Sequence, residues 1–191
     1  MTEPWLVPID EFGLAVSRRL RTRWPARQIG GEDVEAQLRH AHPALLVAAG
    51  ASWRPELTAI NDLAAAAGTR WLPVVLRHTR IDVGPVIGPA SEACFRCMKT
   101  RERQHDPFRR TTEAVERSAD QRAAFLPAHV RQAAGIVTRL AAAHAGALVP
   151  GSAIAVGLLT AAPVALHPVT GVHGCPGCAL RRPGASGGEA R

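Results

Sequence analysis

The chain of 191 residues has no tyrosine and only four phenylalanines, which weakens the case for a single-strand nucleic-acid binder, whose aromatic side chains are interleaved with its charges. It has no run of eighteen uncharged apolar residues. The longest apolar stretch, Ala153 to Leu166, is shorter and is broken by Pro163, with Pro168 following. The N-terminus lacks the basic-then-apolar pattern of a secretory signal. These absences predict a soluble, cytoplasmic protein without a membrane partner. Cysteine is also scarce, with four in all, so a disulfide-stapled secreted scaffold is not expected.

The four cysteines fall into two Cys-x-x-Cys pairs, Cys94-Phe-Arg-Cys97 and Cys175-Pro-Gly-Cys178. Each pair offers two sulfurs close enough to grip one tetrahedral ion, so the pattern predicts a structural zinc held by Cys94, Cys97, Cys175 and Cys178. The long interval between the pairs makes the metal a staple that clips the C-terminal segment to the middle of the fold. A redox dithiol, and cysteines that are simply reduced or disulfide-bonded, are the alternatives. No thioredoxin-like strand-to-helix junction surrounds either pair.

The net charge is +7 and arginine predominates among the cations. The densest group is Arg18, Arg19, Arg21 and Arg23, followed by Lys99, Arg101, Arg103, Arg109 and Arg110 after the first cysteine pair. Scattered in this way, the charges fit a solvated surface better than a nucleic-acid footprint, while leaving an acidic peptide open as a partner. A zinc ribbon would place its cysteine pairs about 15 to 20 residues apart. A zinc-containing nucleic-acid binder is therefore a second functional class, but nucleic acid is the less favoured partner.

Patterning predicts an α/β protein of one domain. Trp5-Leu6-Val7-Pro8-Ile9 reads as a strand, and Phe12 to Trp24 as a helix with Phe12, Ala15, Val16 and Leu20 on one face, ended by Pro25. Arg27-Gln28-Ile29 is a second strand, Glu32 to His40 a helix, Pro43 to Ala49 a buried strand, Glu56 to Ala67 a helix opened by Pro55 and closed by Gly68, and Trp71 to Leu76 a fourth strand. This alternation implies a parallel sheet covered by helices. Arg80 to Ile87 then follows after a short turn and should pair antiparallel, giving a mixed sheet. Beyond Cys97 a polar stretch runs to about Ala119, and helix is expected from Gln121 to Leu148 with a break at Pro127. Val149 to Ser152 turns the chain, Ala153 to Leu159 is buried helix or strand, and Val164-Ala165-Leu166 pairs with Gly171-Val172 as a final hairpin. The expected divisions are a Rossmann-like half over 4–90, a helical, zinc-clipped half over 91–180, and a disordered tail over 181–191.

The run Val83 to Cys97, reading VGPVIGPASEACFRC, with Arg101, Arg103 and Asp106-Pro107, resembles the hallmark segment of ThiF-like proteins of ribosomal peptide biosynthesis. Weaker likeness covers Ala44 to Ala49, Pro55 to Gly68 with Asn61, Trp71-Leu72-Pro73 and Gly174 to Cys178. These cyclodehydratase partner proteins of thiazole/oxazole-modified peptide and thiopeptide pathways are relatives of the ubiquitin-activating and MoeB/ThiF adenylating enzymes. The resemblance implies a Rossmann-like ThiF-type mixed sheet in which the two cysteine pairs hold structural zinc. It also implies a partnership with a YcaO-type cyclodehydratase and a precursor peptide, and a homodimer.

One departure from the family alters the function expected. Adenylating members open with a glycine-rich turn whose amides approach a nucleotide phosphate, whereas here the turn reads Ile9-Asp10-Glu11-Phe12-Gly13. Two carboxylates and a phenylalanine at the phosphate position should repel and obstruct an anion. No cysteine remains as a thioester nucleophile if all four bind zinc. Leader binding in such relatives belongs to a small winged-helix domain ahead of the ThiF-like part, which adds the peptide as a strand, and only four residues precede the first strand here. The expected role is therefore an accessory scaffold with no catalytic or cofactor-binding residue of its own, an active ATP-dependent adenylyltransferase being the remaining alternative. Among lesser candidates, His173 reads as a loop histidine rather than a second-sphere donor to sulfur, His105-Asp106 as a turn rather than a catalytic pair, Trp53 and Trp71 as packing residues, and Glu32 and Asp33 as the cap and first turn of a helix.

Overall fold

The structure, a computed structural model, describes residues 3–52, 54–117, 124–143, 151–158 and 164–179. Trp5–Pro8 (β1) is buried on both sides, and Asp10 then starts the helix Glu11–Arg21 (α1) by accepting a hydrogen bond from the Gly13 N–H at 3.0 Å. Phe12, Val16 and Leu20 recur at the helical period and line its buried face. Arg18, Arg19 and Arg21 fall in its last turn, where they complement the carbonyl end of the helix dipole. That local role accounts for the densest basic cluster. The helix ends at Arg21 rather than Trp24, since the chain turns at Thr22 before Pro25 is reached.

The strands Arg27–Gln28 (β2), Leu46–Ala51 (β3) and Trp71–Leu76 (β4) all run parallel with β1, in the order β2-β1-β3-β4. The third strand begins at Leu46, later than Pro43. Helix Val34–His40 (α2) starts after Asp33, which makes no side-chain cap. Helix Pro55–Ala66 (α3) has proline in its first turn, where no amide is missed, and it is followed by Gly68 at φ +61°. Every residue of β3 and β4 is buried, as expected of parallel strands covered on both faces.

From β4 the direction changes. Arg80–Val83 (β5), Ser152–Gly157 (β6) and Ala165–Pro168 (β7) continue the same sheet antiparallel, for a seven-stranded order β2-β1-β3-β4-β5-β6-β7. The predicted mixed sheet is present. The last hairpin is different from the one expected, because β7 pairs with β6, not with Gly171-Val172. Gly171 instead lies against the Glu92 carbonyl, where a Cβ would stand 2.7 Å from the oxygen. The polar stretch after Cys97 also differs, forming helices Phe95–His105 (α4) and Arg109–Arg117 (α5). Their apolar periodicity is slight, and ion pairs supply part of the order: Arg109 meets Glu113 one turn on at 2.9 Å, while Glu102 accepts from Arg77 and Arg80 on the sheet.

Helix Pro127–Ala143 (α6) packs with α1 on one face of the sheet, burying Val130, Ala133, Val137 and Leu140 against Phe12, Val16 and the β4–β5 side chains. The other face carries α2, α3 and α4, with Trp71 and Phe95 edge to face at 5.4 Å. Such a pair contributes about 0.5–1.5 kcal/mol beyond its buried area and fixes the start of α4 over β4. No helix among the described residues is long and apolar enough to cross a membrane. Trp53 and the tail 181–191 lie outside the described residues, as do parts of the Gln121 to Leu148 helix and the Val149 to Ser152 turn.

Two glycines give opposite predictions. A Cβ on Gly13 would lie 2.1 Å from the Ala49 carbonyl oxygen, so Gly13→Ala must push α1 off β3 and should lower unfolding free energy by about 1–3 kcal/mol in urea titration. Gly135 sits in α6 with open space around it, so Gly135→Ala should raise stability by about 0.5–1 kcal/mol.

Candidate metal centre and the closed crevice of the sheet

Cys94 stands at the N-terminal boundary of α4 and Cys97 lies in its first turn; Cys175 precedes, and Cys178 lies within, the short helix Pro176–Ala179 (α7). Two helix starts thus face each other. The four Sγ atoms all lie within 4.8 Å of one another, with Cys94–Cys175 at 3.5 Å, Cys94–Cys97 at 3.7 Å and Cys97–Cys178 at 3.2 Å. A tetrahedron with metal–sulfur bonds of about 2.3 Å has edges of about 3.8 Å, so this donor set fits a single ion. Cys94, Cys97 and Cys175 are buried and Cys178 is half-buried. The structure brings together all four predicted ligands.

The surroundings favour thiolate at one position and resist it at others. Burial pushes Cys94 up to about 11, and burial together with the neighbouring sulfurs raises Cys178. Burial opposes ionisation of Cys97 as well, but amide N–H groups at Cys94 and Val172 outweigh it and bring the thiol down to about 7. The Val172 N–H donates to Cys97 Sγ at 3.3 Å. His173, one residue on, is exposed and bonds no sulfur. Several buried thiols with conflicting proton demands are the environment that a divalent cation relieves by taking all four as thiolates.

Residues outside the cysteine pairs hold this arrangement. Asn61, fully buried on α3, accepts from the Phe95 N–H at 3.2 Å and so ties the start of α4 to α3. Its neighbour Asp62 accepts from both Arg96 Nε and Arg96 Nη2, a fork that holds a cation beside Cys94 and Cys175. Gly177 lets α7 approach, since a Cβ there would stand 2.9 Å from Cys94 Sγ. Arg101 Nη2 donates to the Gly171 carbonyl at 3.0 Å and latches the loop that carries Val172. Asn61 was legible through the family resemblance; the Arg96–Asp62 fork and the Val172 amide had no sequence signal.

At the other end of the sheet, β1 lies between β2 and β3, so successive connections leave in opposite directions at the carboxyl ends of β1 and β3. Ligands of open α/β sheets settle in such crevices. Here Asp10 fills it. One carboxylate oxygen accepts from Gly13 N–H at the start of α1, the other from Ala51 N–H at the end of β3 at 2.6 Å, and Arg54 stands 3.6 Å away. The amides that would greet a phosphate already hold an anion belonging to the chain. The expectation is corrected in one respect: Phe12 does not block this position, because its side chain is buried in the core against Phe125 at 5.5 Å, and Glu11 is exposed. Glu32 lies in the turn before α2, His105 is exposed, and Asp106 accepts from the Phe108 N–H at 2.8 Å.

No family model matches the chain, and no curated protein matches it in sequence. Solved structures match it in fold. A heterocyclase in complex with substrate and cofactor superposes at a TM-score of 0.68 and 19% identity, over 93% of this chain and 25% of its own. The heterocyclase TruD gives 0.64 and 20%, over 93% and 27%. E. coli MccB gives 0.58 and 13%, over 92% and 58%. The chain thus spans about a quarter of the length of these heterocyclases. What they share with it at these identities is the fold, a mixed α/β sheet flanked by helices.

Proposed function

We propose that this chain is a non-catalytic, ThiF-like partner in ribosomal peptide modification, assisting a separate ATP-using enzyme of the YcaO type and contributing to recognition of the precursor peptide. The observation that carries the reading is Asp10: a ThiF-like shell whose nucleotide crevice is bridged by its own carboxylate has the scaffold of an adenylating enzyme without a vacant phosphate site. An incoming triphosphate would have to displace that carboxylate from two amides and then lie beside it. The fold supports the pathway class, since heterocyclases and MccB are built on it, and one of those heterocyclases was solved with substrate and cofactor.

In this reading the ion is zinc, and its role is structural. Four sulfurs leave no open position for water or substrate, the arrangement of a closed site. The zinc joins residues 94–97 to residues 175–178 and makes one domain of 1–180. In this reading no nucleophile or base among the described residues acts on the peptide, and the contribution of the chain is to hold surfaces in register.

Metal analysis of the purified chain should give about one zinc ion per molecule, and Cys175→Ser should abolish it. Asn61→Ala, which removes the acceptor for the Phe95 amide, should cost about 1–3 kcal/mol and speed zinc loss to a chelator. The functional test is a reconstituted reaction that combines this chain with a YcaO-type enzyme and a precursor peptide. Peptide modification should fall sharply when the chain is omitted, and calorimetry should detect no binding of magnesium ATP to the chain alone. Unchanged modification without it, or formation of an acyl adenylate by the chain alone, would contradict the proposal.

A further inference from the structure

A cavity of about 620 Å³ opens between α4 and the antiparallel end of the sheet, on the face opposite α6 and away from the Asp10 crevice. Its size is that of a ligand site. Its carboxylates are already engaged: Asp82 holds Arg80 at 2.9 Å, Glu102 accepts from Arg77 and Arg80, and Asp106 accepts from the Phe108 amide. The wall groups that retain bonding capacity are of the opposite kind. Arg101 Nε is buried and has no acceptor, and the imidazoles of His105 and His167 are exposed with no hydrogen-bond partner among the described residues. Beside these donors lie apolar surfaces, Met98 and Val169 within and Phe108 at the mouth, where 72% of it is exposed.

We infer that this cavity is a docking groove for an acidic, part-apolar peptide segment. The Nε of Arg101, whose Nη1 and Nη2 already donate to Gln104 and to the Gly171 carbonyl, offers a carboxylate a charge-assisted bond, about twice as strong as a neutral one, and the two imidazoles add donors beside it. The net charge of +7 adds long-range attraction for such a partner. A small free carboxylate would satisfy the donors yet leave Phe108 in water. A peptide that places an acidic side chain at His105 and His167 and an apolar one on Phe108 covers both. An open groove with an aromatic rim suits a chain that lies across it, whereas small ligands are usually enclosed on most sides. The inference rests on the proposed function only in taking the precursor as the source of the segment.

The probe is a fluorescein-labelled peptide of alternating glutamate and leucine, titrated by anisotropy against the full, metal-loaded chain at low salt, with the lysine–leucine peptide and citrate as comparisons. The glutamate peptide should bind and the lysine peptide should be weaker by about tenfold or more. The double variant His105→Glu/His167→Glu should weaken binding by about tenfold, and Phe108→Ala by about fivefold. These side chains are exposed, so the fold and metal content should be retained. Arg39→Glu, on the exposed face of α2, should change nothing. Unchanged affinity in both groove variants would overturn the inference, and so would citrate binding without any peptide binding. If groove variants bind peptide normally while reconstituted modification still needs the chain, the groove fails and the partner reading stands; if peptide binds in the groove but modification proceeds without the chain, the reverse holds.

Discussion

Four sulfur atoms on two helix starts bring residues 175–178 against residues 94–97, and the placement of the C-terminal loop on α4 follows from that junction. The loop from Gly171 to Gly174 has no strand pairing to fix it. It is positioned by the Arg101 latch, by the Val172 amide on Cys97, and by the close approach that Gly171 and Gly177 permit. The same junction orients α4 from one end, while the Trp71–Phe95 contact and the Asn61 side chain hold it from beneath. The ion-pair network of Glu102 with Arg77 and Arg80 then extends the orientation along α4 to the antiparallel strands. Both walls of the 620 Å³ groove derive from this chain of contacts.

The opposite end of the sheet is governed by a single carboxylate. Asp10 caps α1 and bridges to the end of β3, and Gly13 permits the helix to lie so close that no side chain larger than hydrogen fits. In nucleotide-binding sheets this region is kept vacant for phosphate; here it serves internal cohesion. The two ends account for the proposed division of labour, with stability in the closed crevice and recognition at the groove.

Much of the parallel half was legible in the sequence because its signals are local. Buried runs such as Trp71 to Leu76, proline at the start of α3 and glycine at its end each mark an element without reference to tertiary context. The gathering of the four cysteines was legible for a chemical reason, since two Cys-x-x-Cys pairs have few other uses in one chain. Four features were not. Helices α4 and α5 carry too few apolar residues for periodicity to reveal them, and their ion pairs depend on partners far along the sequence. Phe12 had two incompatible readings, as a member of the helical stripe and as an obstruction in the phosphate turn, and the stripe prevailed because burying an aromatic ring outweighs any local preference of a turn. The groove is not legible because it needs His167 from β7 beside Arg101, His105 and Phe108 from the end of α4 and the turn after it, each unexceptional alone. The strand pairing of β7 is not legible because Ala153 to Leu159 reads equally as helix or strand, so the sequence offers β7 no edge.

The central claim is that a metal clip holds residues 171–179 against α4. Hydrogen exchange measured by mass spectrometry, before and after removal of the metal by a chelator, tests it most directly. The account predicts that amides in 171–179 and in the first turns of α4 lose protection together, while β1, β3 and β4 remain protected. Unchanged protection of 171–179 in the metal-free protein, with all four thiols reduced, would contradict it.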